Sequence, residues 1–117
     1  EYVMLLQKVP VSIRRKKTSE ILNRVGLGEY INRFPNQMSG GQQQRVAVAR
    51  SIVAEPKVIL ADEPTANLDS KTDESLLDLM RQLNQEKGVT FIFSTHDKMV
   101  MDKSRRLVML HDGKVIN

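Results

Sequence analysis

VILADEPT, residues 58–65, is the stretch that decides how this 117-residue chain folds. Val58, Ile59, Leu60 and Ala61 form a short, continuous apolar run that stops abruptly at Asp62 and Glu63. Such a run reads as a strand buried on both faces, as in a parallel sheet. A second run, VTFIFS (89–94), ends in the same way at Thr95, His96 and Asp97. Residues 70–87, between the two, carry a helical pattern. Leu76, Met80 and Leu83 lie on one stripe, Leu77 and Leu79 widen it, and Gly88 ends it. Strand, helix and strand make a βαβ unit, which is right-handed almost without exception. Ligands of open α/β sheets bind beyond the carboxyl ends of the strands. One strand delivers Asp62 and Glu63 to that edge, and the other delivers Ser94, Thr95 and His96.

Upstream of residue 58 the expectation is helical. Residues 1–7 read as a short helix, and Ser12 is placed to cap a second that runs to about Val25, with Gly26 as its C-terminal glycine. The stretch 27–37 reads as irregular. A third helix is expected over 41–54, with Val46, Ala49 and Val53 on one face, Val48 and Ile52 beside it, and Pro56 closing it. Downstream, Asp97 is placed to cap a short helix over 98–103. Residues 107–116 read as a hairpin around an Asp112-Gly113 turn.

Composition narrows the possibilities. The chain is 40% hydrophobic and 27% charged, a globular balance. It has no cysteine, which excludes disulfides, thiol catalysis and cysteine-bound zinc. No apolar run approaches the roughly 20 residues that cross a bilayer. The net charge is +4, and its one dense basic run is Arg14-Arg15-Lys16-Lys17. No aromatic residues interleave with that run, so it reads as a solvated helix face rather than a nucleic-acid patch.

MSGGQQQR (38–45) is the most unusual run. Ser39 and Gln42 have the spacing of a capping box. A cap alone does not need two glycines, which weaken a helix start. Two missing side chains let an anion approach the first backbone amides, where the helix dipole favours it. The turn therefore reads as a phosphate holder, although the sequence contains no G-x-x-x-x-G-K-[ST] phosphate loop. At the other edge, the Asp62 carboxylate suits Mg²⁺, held mostly through water. Glu63 could orient and deprotonate a water, with a neighbouring carboxylate and partial dryness expected to raise its pKa and Mg²⁺ to oppose the rise. His96 could donate to a phosphate oxygen. Asp69 either caps the helix over 70–87 or contacts a neighbouring subunit, and the sequence leaves both open. His111, in the hairpin, reads as structural.

SGGQQQR, ILADEPTANLDS and STHD, in this order and spacing, resemble the ATP-binding cassette (ABC) ATPases over nearly the whole chain. The wording is most similar to the lipoprotein-release and macrolide-export branch. The resemblance implies a P-loop NTPase fold of α/β class with a parallel sheet core and an α-helical subdomain at its N-terminal end. Residues 1–54 would be that subdomain, ending in the signature helix, and 55–117 the C-terminal half of the ATPase core. The resemblance makes Glu63 and His96 catalytic and Asp62 the Mg²⁺ ligand. It assigns nucleotide contacts to Ser39, Gly40, Gly41, Gln42, Asp62 and Asp69. It implies ATP and Mg²⁺ as cofactors, a second nucleotide-binding domain as head-to-tail partner, and a transmembrane permease on whose cytoplasmic face the protein works. No nucleic-acid partner is implied.

Three departures stand out. Met38 replaces the usual Leu, Ala66 replaces the branch's usual Gly, and the P-loop, adenine-stacking aromatic and Q-loop glutamine are absent. In this family those elements precede the point where this chain begins, so the chain reads as a fragment, expected to turn over no ATP alone. The competing readings are a nucleic-acid-linked or ribosome-linked ATPase with the same signature, and a non-catalytic binding module. The pairing of Glu63 with His96 at one sheet edge argues against the last.

Overall fold

A computed structural model describes residues 1–116. The chain opens with α1 (Tyr2–Leu6) and α2 (Val11–Arg24). Pro10, not Ser12, occupies the N-cap of α2, so the helix starts earlier than expected and has no side-chain cap. Proline is at home there, because the first helical amides have no intrahelical acceptor to lose. At the other end Gly26 takes φ +77°. Its amide donates to Asn23 O (3.0 Å) and that of Leu27 to Leu22 O (2.7 Å), the paired bonds of a Schellman turn. The stretch read as irregular contains two short 3₁₀ turns, Gly28–Tyr30 and Pro35–Gln37.

The third helix, α3 (Gly40–Ile52), begins one residue earlier and ends two earlier than expected. Its buried face is centred on Val48, Ala49 and Ile52, with Val46 and Val53 at the margins. Next come β1 (Val58–Asp62), α4 (Ser70–Lys87) and β2 (Thr90–Ser94). Leu76, Leu77, Leu79, Met80 and Leu83 of α4 are all buried, at the spacings a 3.6-residue period requires. Together with Ile21, Val25, Leu27 and the α3 face they form one continuous core cluster. Arg24 of α2 reinforces this packing with two bonds to Glu86 of α4, from Nε (2.9 Å) and Nη2 (2.6 Å).

The strands pair in parallel, in register from Val58 opposite Thr90 to Asp62 opposite Ser94. The expectation of a strand buried on both faces is not met. Ile59 is 7% exposed, whereas Leu60 is 76% and Ile92 54% exposed. The face carrying Ala61, Phe91 and Phe93 packs on the core, and its two phenylalanine rings stack at 6.1 Å. The other face, with Val58, Leu60 and Ile92, is apolar, and no described residue covers it. An apolar run hides strand alternation, because both faces carry the same kind of side chain.

The short helix α5 (Lys98–Lys103) is capped by Asp97, as expected. The hairpin is shorter than expected, with β3 (Leu110–His111) and β4 (Lys114–Val115) joined by Asp112 at φ +48° and Gly113 at φ +74°. Two successive positive φ values suit a type I′ turn. The basic run lies on α2, where Arg14 donates to Val9 O (2.8 Å), Lys16 lies 3.9 Å from Glu20 and Lys17 lies 3.2 Å from Glu55. Among the described residues no helix is long and apolar enough to cross a membrane.

One buried charge sits in this core. Asp73, in the first turns of α4, is only 8% exposed, and its Oδ1 has no hydrogen-bond partner. Burial, then the nearby charges of Asp97 and Asp69, raise its pKa. A carboxyl raised in the native state destabilises the fold while ionised. That cost is fully present above the native pKa and disappears below the unfolded value of about 3.9. Asp73→Asn is therefore expected to raise the melting temperature at pH 7 by about 2–5 °C. The gain should shrink as the pH approaches 4. An unchanged or lowered melting temperature at pH 7 contradicts this reading.

Candidate functional site

The parallel register brings Asp62 opposite Ser94, so both chains leave the sheet at the same level. Glu63 follows with φ +44°, a left-handed conformation that is costly for a side chain with a Cβ. The Glu63 amide continues the ladder by donating to Ser94 O (2.8 Å). The Asp62 side chain is exposed and makes no hydrogen bond or ion pair among the described residues.

Glu63 is instead clasped by the other strand end. Its Oε1 lies 2.7 Å from His96 Nδ1 and accepts from the His96 amide at 3.3 Å. Its Oε2 accepts from Thr95 Oγ1 at 3.2 Å. The bond from the His96 ring is the first cause of a lowered Glu63 pKa, and it and the other bonds outweigh the opposing effect of burial. The raised pKa expected from the sequence is thus reversed. The carboxylate gains donors here instead of losing solvation alone. The His96 ring is turned inward only through Nδ1 and is otherwise solvent-facing, at 91% side-chain exposure.

A second layer holds this clasp. Thr95 Oγ1 accepts from the Asp97 amide (3.0 Å) while donating to Glu63. Asp97 Oδ1 caps α5 through the Met99 amide (2.8 Å), and Oδ2 accepts from buried Thr65 Oγ1 (3.0 Å). The loops after β1 and β2 are thereby tied to one another. The sequence placed Thr95 at the strand edge and Asp97 as the α5 cap, but it gave no sign of the bonds from Thr95 to Glu63 or from Thr65 to Asp97. The Thr-x-Asp spacing of 95–97 is the signal for the local turn, since a hydroxyl two residues before an amide is placed to accept from it.

The turn 38–42 lies apart from this cluster, and no hydrogen bond joins it to Asp62, Glu63 or His96 among the described residues. The capping box forms as expected. The Gln42 amide donates to Ser39 Oγ (3.2 Å), and Gln42 Oε1 accepts from the Ser39 amide (3.0 Å). The next three side chains anchor the helix outward. Gln43 Nε2 donates to Pro35 O (2.9 Å) and Met38 O (3.2 Å), and Gln44 Nε2 to Pro64 O (2.7 Å). Arg45 donates to Val25 O (3.1 Å) and to Ser75 Oγ. Gln44 is thus the direct link from the turn's helix to the loop that carries Glu63.

The glycines have a packing role that the sequence did not disclose. A Cβ on Gly40 would lie 3.4 Å from Leu68 Cδ2, and one on Gly41 would run into Thr72 Cγ2. Both neighbours belong to the segment around Asp69. That residue caps α4, with Oδ1 accepting from the Thr72 amide and Oδ2 from Thr72 Oγ1, each at 2.9 Å. These bonds, the amide one first, lower the Asp69 pKa. Ala66 needs no glycine, because the left-handed residue of this loop is Asn67, at φ +65°. His111 Nδ1 lies 3.4 Å from Oδ2 of its neighbour Asp112, both side chains being exposed.

Comparison with known proteins gives this geometry a family. A family model described as ABC transporter matches residues 4–66. The ABC transporter ATP-binding protein YtrE of Bacillus subtilis is 45% identical over 113 residues, 97% of this chain and 49% of YtrE. The lipoprotein-releasing system ATP-binding protein LolD 1 of Rhodopseudomonas palustris is 46% identical over 106 residues, 91% of this chain and 47% of that protein. Among solved structures, the dimeric post-hydrolysis state of the ATP-binding cassette MJ0796 bound to ADP and Pi is 44% identical. It superposes with a TM-score of 0.77, covering 93% of this chain and 47% of that one. The chain spans about half the length of these relatives.

Proposed function

Because this chain belongs to the ABC transporter family of ATP-binding cassettes, we propose that it forms the hydrolytic edge and signature turn of a nucleotide-binding domain that powers transmembrane transport. The observation that carries this reading is the Glu63 clasp. A carboxylate at the carboxyl edge of a parallel sheet, ionised by three donors and flanked by an unpartnered Asp62, is equipped to handle a water beside a phosphate.

In this reading Glu63 orients the attacking water and takes its proton as the water oxygen bonds to the γ-phosphorus and the bridging oxygen leaves with ADP. The His96 ring and Thr95 hydroxyl hold the carboxylate in place. When doubly protonated, the ring can donate to Glu63 through Nδ1 and to a phosphate oxygen through Nε2. Asp62 fits a nucleotide-bound Mg²⁺, since its oxygens are exposed and free. No group of three or more His, Cys, Asp or Glu among the described residues could hold a metal alone. Such an ion would supply charge neutralisation to a phosphate held beside it.

Ser39, Gly40, Gly41 and Gln42 present the α3 amides to the γ-phosphate of a second, head-to-tail copy, and Asp69 lines the same interface. Residues 1–54 serve as the helical subdomain facing a permease on the cytoplasmic face of the plasma (inner) membrane, and 55–117 as part of the ATPase core. The likeness to LolD favours lipoprotein release or a related export as the transport step. The test is Mg²⁺-dependent ATP turnover by the whole protein. Excess EDTA should abolish it, and turnover that persists in EDTA contradicts the reading.

A further inference from the structure

Thr72 touches two of the features just assigned. Its Oγ1 donates to Asp69 Oδ2 (2.9 Å), and its Cγ2 fills the space a Cβ on Gly41 would need. Threonine in a helix divides between two χ1 rotamers, set by where its hydroxyl finds a partner. The bond to Asp69 selects the rotamer that puts the methyl against Gly41. Were Asp69 to move, the Thr72 hydroxyl would lose this partner and the methyl would lose the bond that fixes its rotamer. Gly41 is the second residue of α3, two after the Ser39 cap, so this contact bears on the backbone that carries the first α3 amides.

We propose that Thr72 is a positioning residue that couples the state of Asp69 to the aim of the 39–42 turn within one chain. This rests on the nucleotide-site reading above and adds to it a relay from the interface loop to the signature turn. Gly41 is glycine, in this account, because Thr72 occupies its Cβ position, rather than because a phosphate must reach that carbon.

The test is a double-mutant cycle in the whole protein, using Gly41→Ala, Thr72→Ser and the two combined. Thr72→Ser removes Cγ2 and keeps the hydroxyl. The next atoms a Cβ on Gly41 would meet are Thr72 Cβ at 3.8 Å and Oγ1 at 4.0 Å, ordinary contacts. Overpacking makes Gly41→Ala alone lower ATP turnover about 10-fold or more. Combined with Thr72→Ser, turnover should return to within about 3-fold of Thr72→Ser alone. A combined variant as impaired as Gly41→Ala overturns the proposal, because the added methyl then acts on the nucleotide side. Turnover is read well below every variant's melting temperature. A loss and rescue that vanish on cooling assign the contact to stability alone and also overturn it.

Should Gly41→Ala fail to fold, Thr72→Val decides. It keeps the methyl and removes the bond to Asp69, and it should lower kcat about 3-fold or more with KM for ATP within about 2-fold. Wild-type kcat in Thr72→Val overturns the relay. Wild-type protein without ATP turnover overturns the nucleotide reading and the relay together, whereas normal wild-type turnover without rescue overturns the relay only.

Discussion

Glu63→Gln in the whole protein is expected to lower ATP turnover at least about 100-fold, the low end of what removing a general base costs. Glutamine has nearly the same shape; its one carbonyl oxygen can accept from the His96 amide while its NH2 donates to the Thr95 hydroxyl, so the loop should hold its place. What it lacks is a basic oxygen to orient and deprotonate water, and a full charge to keep the His96 ring aligned. Those are needed in the transition state, so the loss should fall on kcat and leave nucleotide affinity largely intact. The wild-type pH profile carries a matching signature. Glu63 has a lowered pKa, caused first by the His96 ring bond. It stays ionised on descending pH until below the usual carboxylate range, so the acid loss of activity should set in only there. Steady-state kinetics of the two proteins check both points, and unchanged turnover in Glu63→Gln rejects Glu63 as the base.

Ser39→Arg should abolish ATP-driven pairing of two copies while leaving the affinity of a single copy for nucleotide within about 3-fold. Ser39 is exposed and caps α3 through the Gln42 amide. Losing that cap costs about 0.5–2 kcal/mol, too little to unfold a stable domain. The greater effect is steric. A long, cationic side chain would occupy the surface that the opposing nucleotide must approach, and Ser39 itself bonds to Gln42 rather than to the Glu63 clasp. Titration with a fluorescent nucleotide measures the single-copy affinity. Weakened binding there with pairing intact reverses the assignment and places the turn on its own copy's nucleotide.

Much of this arrangement was legible in the sequence. Capping at Ser39, Asp69 and Asp97, the Gly26 stop and the Asp112-Gly113 turn all depend on neighbours within a few residues, where local chemistry decides the outcome. The α4 stripe was legible because eighteen residues give a period room to repeat. The strand faces were not, because Val58, Leu60 and Ile92 are as apolar as the residues that are buried. Nor was the direction of the Glu63 pKa. That depends on Thr95 and His96, thirty-two and thirty-three residues away in the chain. The packing at Gly41 was hidden for a similar reason. Its crowding comes from Thr72, across two helices, and no local pattern announces such a contact.

The central claim is that two copies close around ATP with the 39–42 turn of each facing the nucleotide of the other. Sedimentation velocity of the Glu63→Gln protein with saturating Mg-ATP tests it most directly, since slowed hydrolysis should leave the closed pair intact. The account predicts a dimer with ATP, a monomer with ADP, and a monomer with ATP once Ser39→Arg is added. A Glu63→Gln protein that stays monomeric at saturating ATP, or whose dimer is indifferent to Ser39→Arg, would contradict it.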